Sequence, residues 1–231
     1  AELKTLGLDG VMVYQETYHE GMYAQHHLKG KKQDFFWRLD TPDRLGQAGI
    51  DKIGLGALIG LSDSWRVDCF MVAEHLLWLQ QRYWQSRYSI SFPRLRPCAG
   101  SIEPASLMDE RQLVQVICAF RLFSPDTELS LSTRESPWFR DHVIPLAINN
   151  VSAFSKTQPG GYADEKPELE QFSPHDARTP GGSAHFRPLH ARHSAQRLLN
   201  GQGTSRTVHT FEHHLRVPGT TLQRVCSILC T

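Results

Sequence analysis

Residues able to do chemistry recur in this chain at one kind of place, just after a run of apolar residues. Gln15-Glu16-Thr17-Tyr18-His19 follows Val11-Met12-Val13-Tyr14, and Ser62-Asp63 follows the glycine-rich run 52–61. Arg94 and Arg96 close the run 88–95, Ser132, Arg134 and Glu135 follow 129–131, and Ser155 and Lys156 follow 148–154. The set holds several cations and few acids. An arginine presents a fork of donors that matches the two oxygens of a carboxylate, so the set suits a carboxylate-bearing substrate. For any one of these positions, a polar loop residue meeting solvent is an equally good account.

Other constellations are weaker. The body of the chain has no nucleophile elbow, Walker loop, HExxH or CxxC. Cys226 and Cys230 have metal-ligand spacing with His213 and His214 nearby, but the sequence around them carries no sign of order. His26 and His27 read as surface helix residues. Tyr83, Trp78 and Trp84 read as packing between a helix and a sheet. Gly54, Gly56 and Gly60 could admit a ligand close to the backbone or could serve tight packing, and the sequence does not choose between them.

The apolar runs are the elements that must position these groups. Leu3, Leu6 and Leu8 with Gly7 and Gly10 predict the last turn of a helix and a glycine cap. Residues 11–14 predict a strand buried on both faces. Thr41-Pro42-Asp43 predicts a helix with Thr41 as N-cap, ending at Ala48-Gly49. The run 52–61 is a second strand, and Asp63 or Ser64 can cap a long helix over 66–87. Strands over 88–95, 129–131 and 148–154 come next. Between them lie a helix opened by Asp109, with Leu113, Val116, Ile117 and Phe120 on one face, and a short helix near 138–144.

Alternation of strand, polar loop and helix predicts repeated βα units around a parallel sheet. The fold class is α/β, a partial (β/α)8 TIM barrel of about five units, since a closed barrel takes eight units over about 250 residues. The absence of a GxGxxG turn after any strand favours the barrel over an open doubly wound sheet. The barrel portion covers 1–176. Residues 177–231, with six of the twelve histidines and little periodicity, form an irregular tail.

Composition narrows the partners. A net charge of +1 gives no footprint for nucleic acid, and no apolar run reaches the roughly 18 residues of a membrane span. No secretory leader pattern is present. Five cysteines, odd in number and mostly far apart, argue against a disulfide framework and for a reducing, cytoplasmic setting. Cys69 and Cys118 sit inside helical patterns as small core residues.

The stretches VMVYQETYHEGMY, HHLKGKKQDFFWRLDTPDRLGQAGIDKIGLGALIGL, WQSRYSISFPRLRPCAG, LSLSTRESPWFRD and INNVSAFSKTQPGGY closely resemble the tyrosine-cleaving lyases of the radical S-adenosylmethionine superfamily, in the branch that serves thiamine thiazole synthesis. The resemblance runs from about Glu2 to Asp176. It implies a barrel that binds S-adenosylmethionine and a [4Fe–4S] cluster, and whose 5′-deoxyadenosyl radical breaks the Cα–Cβ bond of tyrosine to give 2-iminoacetate and p-cresol. It implies cofactor contacts from Glu16, on the methionyl ammonium or a ribose hydroxyl, and from Arg38, on the methionyl carboxylate. The GALIGL segment would flank the adenine. Ser132 and Arg134 would anchor the tyrosine, with Arg134 on its carboxylate. Arg94 and Arg96 receive no firm role, and a thiazole synthase is the implied partner protein.

Two departures qualify the resemblance. The CxxxCxxC cluster motif is absent from this chain, so neither a metal ligand nor a catalytic residue is assigned here, and the chain alone is expected to be inactive. Beyond Pro180 the sequence leaves the family pattern, and a one-base shift of the reading frame at Gly181-Gly182-Ser183 would restore it. As part of a barrel, the chain is also expected to expose strand edges and unpartnered inward-facing apolar residues, and so to be poorly soluble or oligomeric. Two other readings stay open: a (β/α)-barrel enzyme that binds a metabolite without a cluster, and a truncated product with no activity.

Overall fold

The structure is a computed structural model, and it describes residues 2–96, 102–152 and 183–185. Its frame is one sheet in the order β1 to β6: β1 (Gly10–Met12), β2 (Lys52–Gly56), β3 (Arg87–Ser91), β4 (Glu128–Leu131), β5 (Asn150–Ser152) and β6 (Ser183–His185). The first five strands run parallel, and β6 pairs antiparallel with β5. The parallel strands form a curled half-barrel, as the sequence pattern requires.

Alternation along each strand separates two chemistries. Ile53 and Leu55, Tyr88 and Ile90, Leu129 and Leu131, and Val151 all face the helices and form the core with them. The helical side of that core comes from α5 (Trp65–Arg82), α6 (Glu110–Phe123) and α7 (Pro137–Ala147). Positions of the opposite parity carry glycine, serine and charge. Ser89 and Ser130 share a hydrogen bond of 2.9 Å, and Glu128 takes bonds from Lys52 and from Asn150 at 2.6 Å. The expectation of unpartnered apolar residues inside the barrel is met at Met12, which is half exposed, whereas the inner positions of β2 to β5 carry glycine, serine, asparagine and charge.

Helix boundaries obey local chemistry. Asp109 caps α6 with a full capping box to Gln112. Ser136 caps α7 by accepting the Phe139 N–H, with Pro137 in the first turn. The first helix α1 (Glu2–Thr5) stops where Gly7 takes φ +89°. Two helices escaped the periodicity, α2 (Glu20–His26) and α3 (Phe35–Leu39), each too short to repeat an apolar stripe. Helix α4 (Thr41–Gln47) is preceded by Asp40 as cap rather than Thr41, whose hydroxyl bonds back to the Trp37 carbonyl at 2.8 Å. Helix α5 ends at Arg82, five residues before the expected end, because Ser86 reaches the Ile50 carbonyl at 2.9 Å and draws the chain into β3.

Other details depart from expectation. Strand β1 is not buried on both faces, since Met12 is half exposed. Tyr83 packs in the core as expected, but Trp84 is exposed and Trp78 half exposed, with the Arg82 guanidinium 4.7 Å above its ring. His27, half-buried at the end of α2, stacks on Tyr23 at 4.0 Å. Cys69 and Cys118 are buried core residues. Cys98, Cys226, Cys230, His213, His214, Ser155 and Lys156 lie outside the described residues.

This packing makes two expectations measurable. Phe120 is fully buried between Phe92 at 4.8 Å and Phe123 at 6.0 Å. Phe120→Ala should cost about 3–5 kcal/mol, read as a lowered urea midpoint at constant slope. The second concerns His75 in α5, whose Nδ1 lies 2.9 Å from the buried Tyr18 hydroxyl. With the phenol donating, Nδ1 is the acceptor and the ring is neutral. Burial lowers the His75 pKa from 6.5 to about 4. The unfolded chain therefore binds a proton that the folded chain refuses, so this contribution is full above pH 6.5 and is lost as pH falls towards 4. Its size is roughly 3 kcal/mol. Between pH 6.5 and 4, wild type should lose more stability than His75→Gln, which keeps an acceptor for Tyr18 but does not titrate. Parallel pH profiles for the two proteins would contradict the assignment.

Candidate active site at the strand ends

Glu16 occupies an irregular point in the ladder. Met12 pairs with Gly54, and an unbroken register would put Gln15 opposite Ala57, yet Glu16 sits there instead. The hydrogen bonds show the same slip. The Gln15 N–H reaches the Gly56 carbonyl at 3.1 Å, but the Leu58 N–H goes to the Glu16 carbonyl at 2.7 Å, one residue further than a regular ladder allows. One residue has been inserted as a β-bulge, and Glu16 absorbs it with φ +74°. This is the left-handed region, uncommon for a residue with a side chain. Beside it, the buried Gln15 amide has no hydrogen-bond partner among the described residues for its nitrogen or its oxygen. Backbone strain and an unsatisfied buried amide at one spot mark a place where local stability has been given up.

The bulge aims the Glu16 carboxylate at a cluster of cations. Lys32 Nζ lies 2.7 Å from Glu16 Oε1, and Arg38 Nη2 lies 3.8 Å from the same oxygen. Arg38, on α3, is held by its Nε, which donates to the Tyr14 carbonyl at 2.9 Å. The structure thus brings the two expected cofactor contacts, Glu16 and Arg38, side by side. Lys32 was missed, although the basic run Lys29, Lys31 and Lys32 lies shortly after the Gln15–His19 segment. The Tyr14 hydroxyl is hydrogen-bonded to Ser91, and burial is the chief cause that raises its pKa.

A second missed residue ties this corner to the helices. Asp68, buried in the first turns of α5, accepts from the Thr17 hydroxyl at 3.0 Å, the Tyr18 N–H at 2.7 Å and the Ser62 hydroxyl at 2.5 Å. It joins the loops after β1 and β2. Burial raises its pKa, against these three hydrogen bonds, which lower it. In the sequence it looks like one more polar position on an amphipathic helix. Gly56 has no room for a side chain because the Ser91 backbone lies against it, which favours packing over ligand approach as its reason.

At the end of β4, Ser132 and Arg134 are joined by a tight turn, the Arg134 N–H donating to the Ser132 hydroxyl at 3.2 Å. The turn is braced from below. Arg94 Nε donates to Glu135 Oε1 at 2.9 Å, its Nη2 reaches Oε2, and its Nη1 donates to the Met108 carbonyl at 2.9 Å. Arg96 donates to Glu135 Oε2 at 2.9 Å and to the Arg134 carbonyl at 3.2 Å. Glu135 is almost fully buried. Arg94 and Arg96 are therefore occupied in holding the loop, and the surplus of cations read at this rim is smaller than the sequence suggests. Glu16 with Arg38 and Ser132 with Arg134 form two separate pairs, beyond the ends of β1 and β4, and β2 and β3 lie between those strands.

Among the described residues no group of three His, Cys, Asp or Glu side chains is placed to hold a metal. No described helix is long and apolar enough to cross a membrane.

Comparison with known proteins agrees with this architecture. The Biotin and Thiamin Synthesis associated domain matches residues 91–200. Over 180 residues, 78% of the chain, it is 87% identical to the 2-iminoacetate synthases of Salmonella typhimurium and Escherichia coli. It covers 48% of each of those proteins, so it spans about half the length of the curated relatives it matches. A crystal structure of HydG, a maturase of the [FeFe]-hydrogenase, superposes with a TM-score of 0.66 at 35% identity, covering 78% of this chain and 39% of HydG. HydG from Carboxydothermus hydrogenoformans gives 0.62 at 32% identity, covering 74% and 39%. In its parallel half-barrel, its strand-end motifs and its sequence, the chain is similar to about half of the 2-iminoacetate synthases and shares its architecture with part of HydG.

Proposed function

We propose that this chain supplies the cofactor- and substrate-gripping rim of a radical S-adenosylmethionine lyase that splits L-tyrosine into 2-iminoacetate and p-cresol for thiamine thiazole synthesis. The observation that carries the reading is the bulge at Glu16. It spends backbone strain to set a carboxylate 3.8 Å from the Arg38 guanidinium at the mouth of a parallel sheet. Neighbouring groups of opposite charge complement an amino acid zwitterion: Arg38 takes the methionyl carboxylate and Glu16 the ammonium. Bound S-adenosylmethionine supplies the hydrogen-abstracting chemistry. This chain's residues bind and orient. Arg134 takes the carboxylate of tyrosine, and Ser132 holds the turn that presents it.

The described residues do not fit the [4Fe–4S] cluster. Cys69 and Cys118 are buried among the helices, and burial raises both thiols, Cys118 to about 11, whereas cluster ligands are thiolates. No step is assigned to this chain through that group, and the 231-residue chain alone is expected to release no p-cresol after anaerobic treatment with iron and sulfide. A thiazole synthase as partner and a cytoplasmic setting belong to the same proposal. So does the division into a barrel portion, 1–176, and a tail beyond it that leaves the reading frame of the family.

Calorimetric titration of the purified chain tests the binding roles separately. Arg134→Ala should weaken L-tyrosine at least about tenfold and leave S-adenosylmethionine unchanged, since a charge-assisted hydrogen bond contributes about 1.5–3 kcal/mol. Arg38→Ala should do the reverse. Unchanged tyrosine affinity in Arg134→Ala removes that residue from the site. A wild-type chain that binds neither ligand speaks against the whole reading.

A further inference from the structure

We propose that Asp68 is a positioning residue for the cofactor site, holding Glu16 in its left-handed bulge through the Thr17–Tyr18 backbone. The proposal rests on the functional reading above for the role of Glu16, but its structural half stands independently. The side-chain contacts of Glu16 are weak anchors for φ +74°. Its ion pairs run to Lys32, itself half exposed, and to Arg38 at the limit of ion-pair distance. The next two residues are held far more firmly. The Thr17 hydroxyl and the Tyr18 N–H both end on Asp68 Oδ1, and the Thr17 hydroxyl also accepts the His19 N–H at 3.1 Å. Thr17 is fully buried. The segment after the inserted residue is thus nailed to the start of α5, so the extra length must be taken up at Gln15–Glu16.

The same carboxylate fixes the loop after β2 through Ser62, whose carbonyl accepts from the Ser106 hydroxyl at 2.7 Å. Two neighbouring strand ends therefore share one anchor, and the Leu58 N–H that meets the Glu16 carbonyl lies on the second of them. A helix residue with no place at the rim thereby sets the direction of one that has.

Amide exchange in the 231-residue chain tests this without any ligand. The informative amides are Gln15 and Leu58, which bond across the bulge but do not touch Asp68. In Asp68→Ala they should exchange about tenfold faster, while Ile90 and Leu129 in β3 and β4 keep their wild-type rates. Asp68→Asn should restore near wild-type exchange, because the amide oxygen can still accept from Thr17 and Tyr18 while its nitrogen donates to Ser62. Wild-type protection at Leu58 in Asp68→Ala would overturn the proposal, as would uniform acceleration that includes Ile90 and Leu129. If Asp68→Ala does not fold, Thr17→Val removes one of the three bonds. It should then raise Leu58 exchange about threefold, and no change there would count against the proposal. In the ligand arm, Asp68→Ala should weaken S-adenosylmethionine about tenfold with L-tyrosine unaffected. A wild-type chain blind to S-adenosylmethionine defeats the functional reading, and the exchange result still decides the role of Asp68.

Discussion

Strict two-residue alternation along the parallel strands is the constraint on which everything else here hangs. Once Ile53, Leu55, Tyr88, Ile90, Leu129 and Leu131 face the helices, the residues between them must face the other way. Those positions are Gly54, Gly56, Ser89, Ser91 and Ser130, with Lys52 and Glu128 paired near the N-terminal end. Burial of the outer row stabilises the sheet by roughly 1.5–3 kcal/mol for each large side chain. The inner row contributes little of that and is free to be polar. This division lets a half-barrel keep a sound core: its apolar face is sealed by helices that lie within the described residues.

Alternation also explains why Glu16 needed a bulge. A regular ladder would place Gln15 opposite Ala57, and Ala57 belongs to the core. One inserted residue breaks the parity and brings Glu16 to that register, at a cost of about 1–2 kcal/mol for a left-handed residue with a side chain. Leaving the Gln15 amide buried with no partner among the described residues adds a further cost of about 1–3 kcal/mol. Three hydrogen bonds to the buried Asp68 carboxylate, each contributing about 1.5–3 kcal/mol when the acceptor is charged, are of the right size to offset both. Burial of Asp68 works against that gain, as its raised pKa records.

Much of this was legible in the sequence. The five parallel strands were readable because each carries a short apolar run bounded by polar residues. Glu16, Arg38, Ser132 and Arg134 were singled out by the resemblance of their motifs, and the structure sets Glu16 near Arg38 and Ser132 beside Arg134. The features that stayed hidden depend on partners distant along the chain. Asp68 sits on an amphipathic helix where a carboxylate needs no explanation, and its partners lie 50 or so residues upstream as well as nearby. Glu135 likewise reveals itself only when the ends of β3 and β4 meet, 41 residues apart in sequence from Arg94. A register slip of one residue cannot be read from either strand alone. The short helices α2 and α3 were invisible because a stripe needs at least two turns to repeat.

Distances then separate the groups that hold the rim from those free to hold something else. Arg94 and Glu135 are nearly buried and joined by two parallel hydrogen bonds, and removing one partner of such a pair costs about 3–5 kcal/mol. No ligand carboxylate could draw Arg94 away at acceptable cost. Glu16 and Arg38, at 3.8 Å and partly exposed, form the kind of pair that contributes about 0–1 kcal/mol. Lys32 lies closer to Glu16, at 2.7 Å, but it is half exposed, and a surface ion pair of that kind also contributes only about 0–1 kcal/mol. On the proposed reading, an incoming zwitterion would lose little by parting Glu16 from Arg38 and would gain a charge-assisted bond to each. Two arginine–carboxylate contacts at strand ends divide in this way into a fixed brace and, on the proposed reading, an exchangeable clasp, and burial with hydrogen-bond geometry decides which is which.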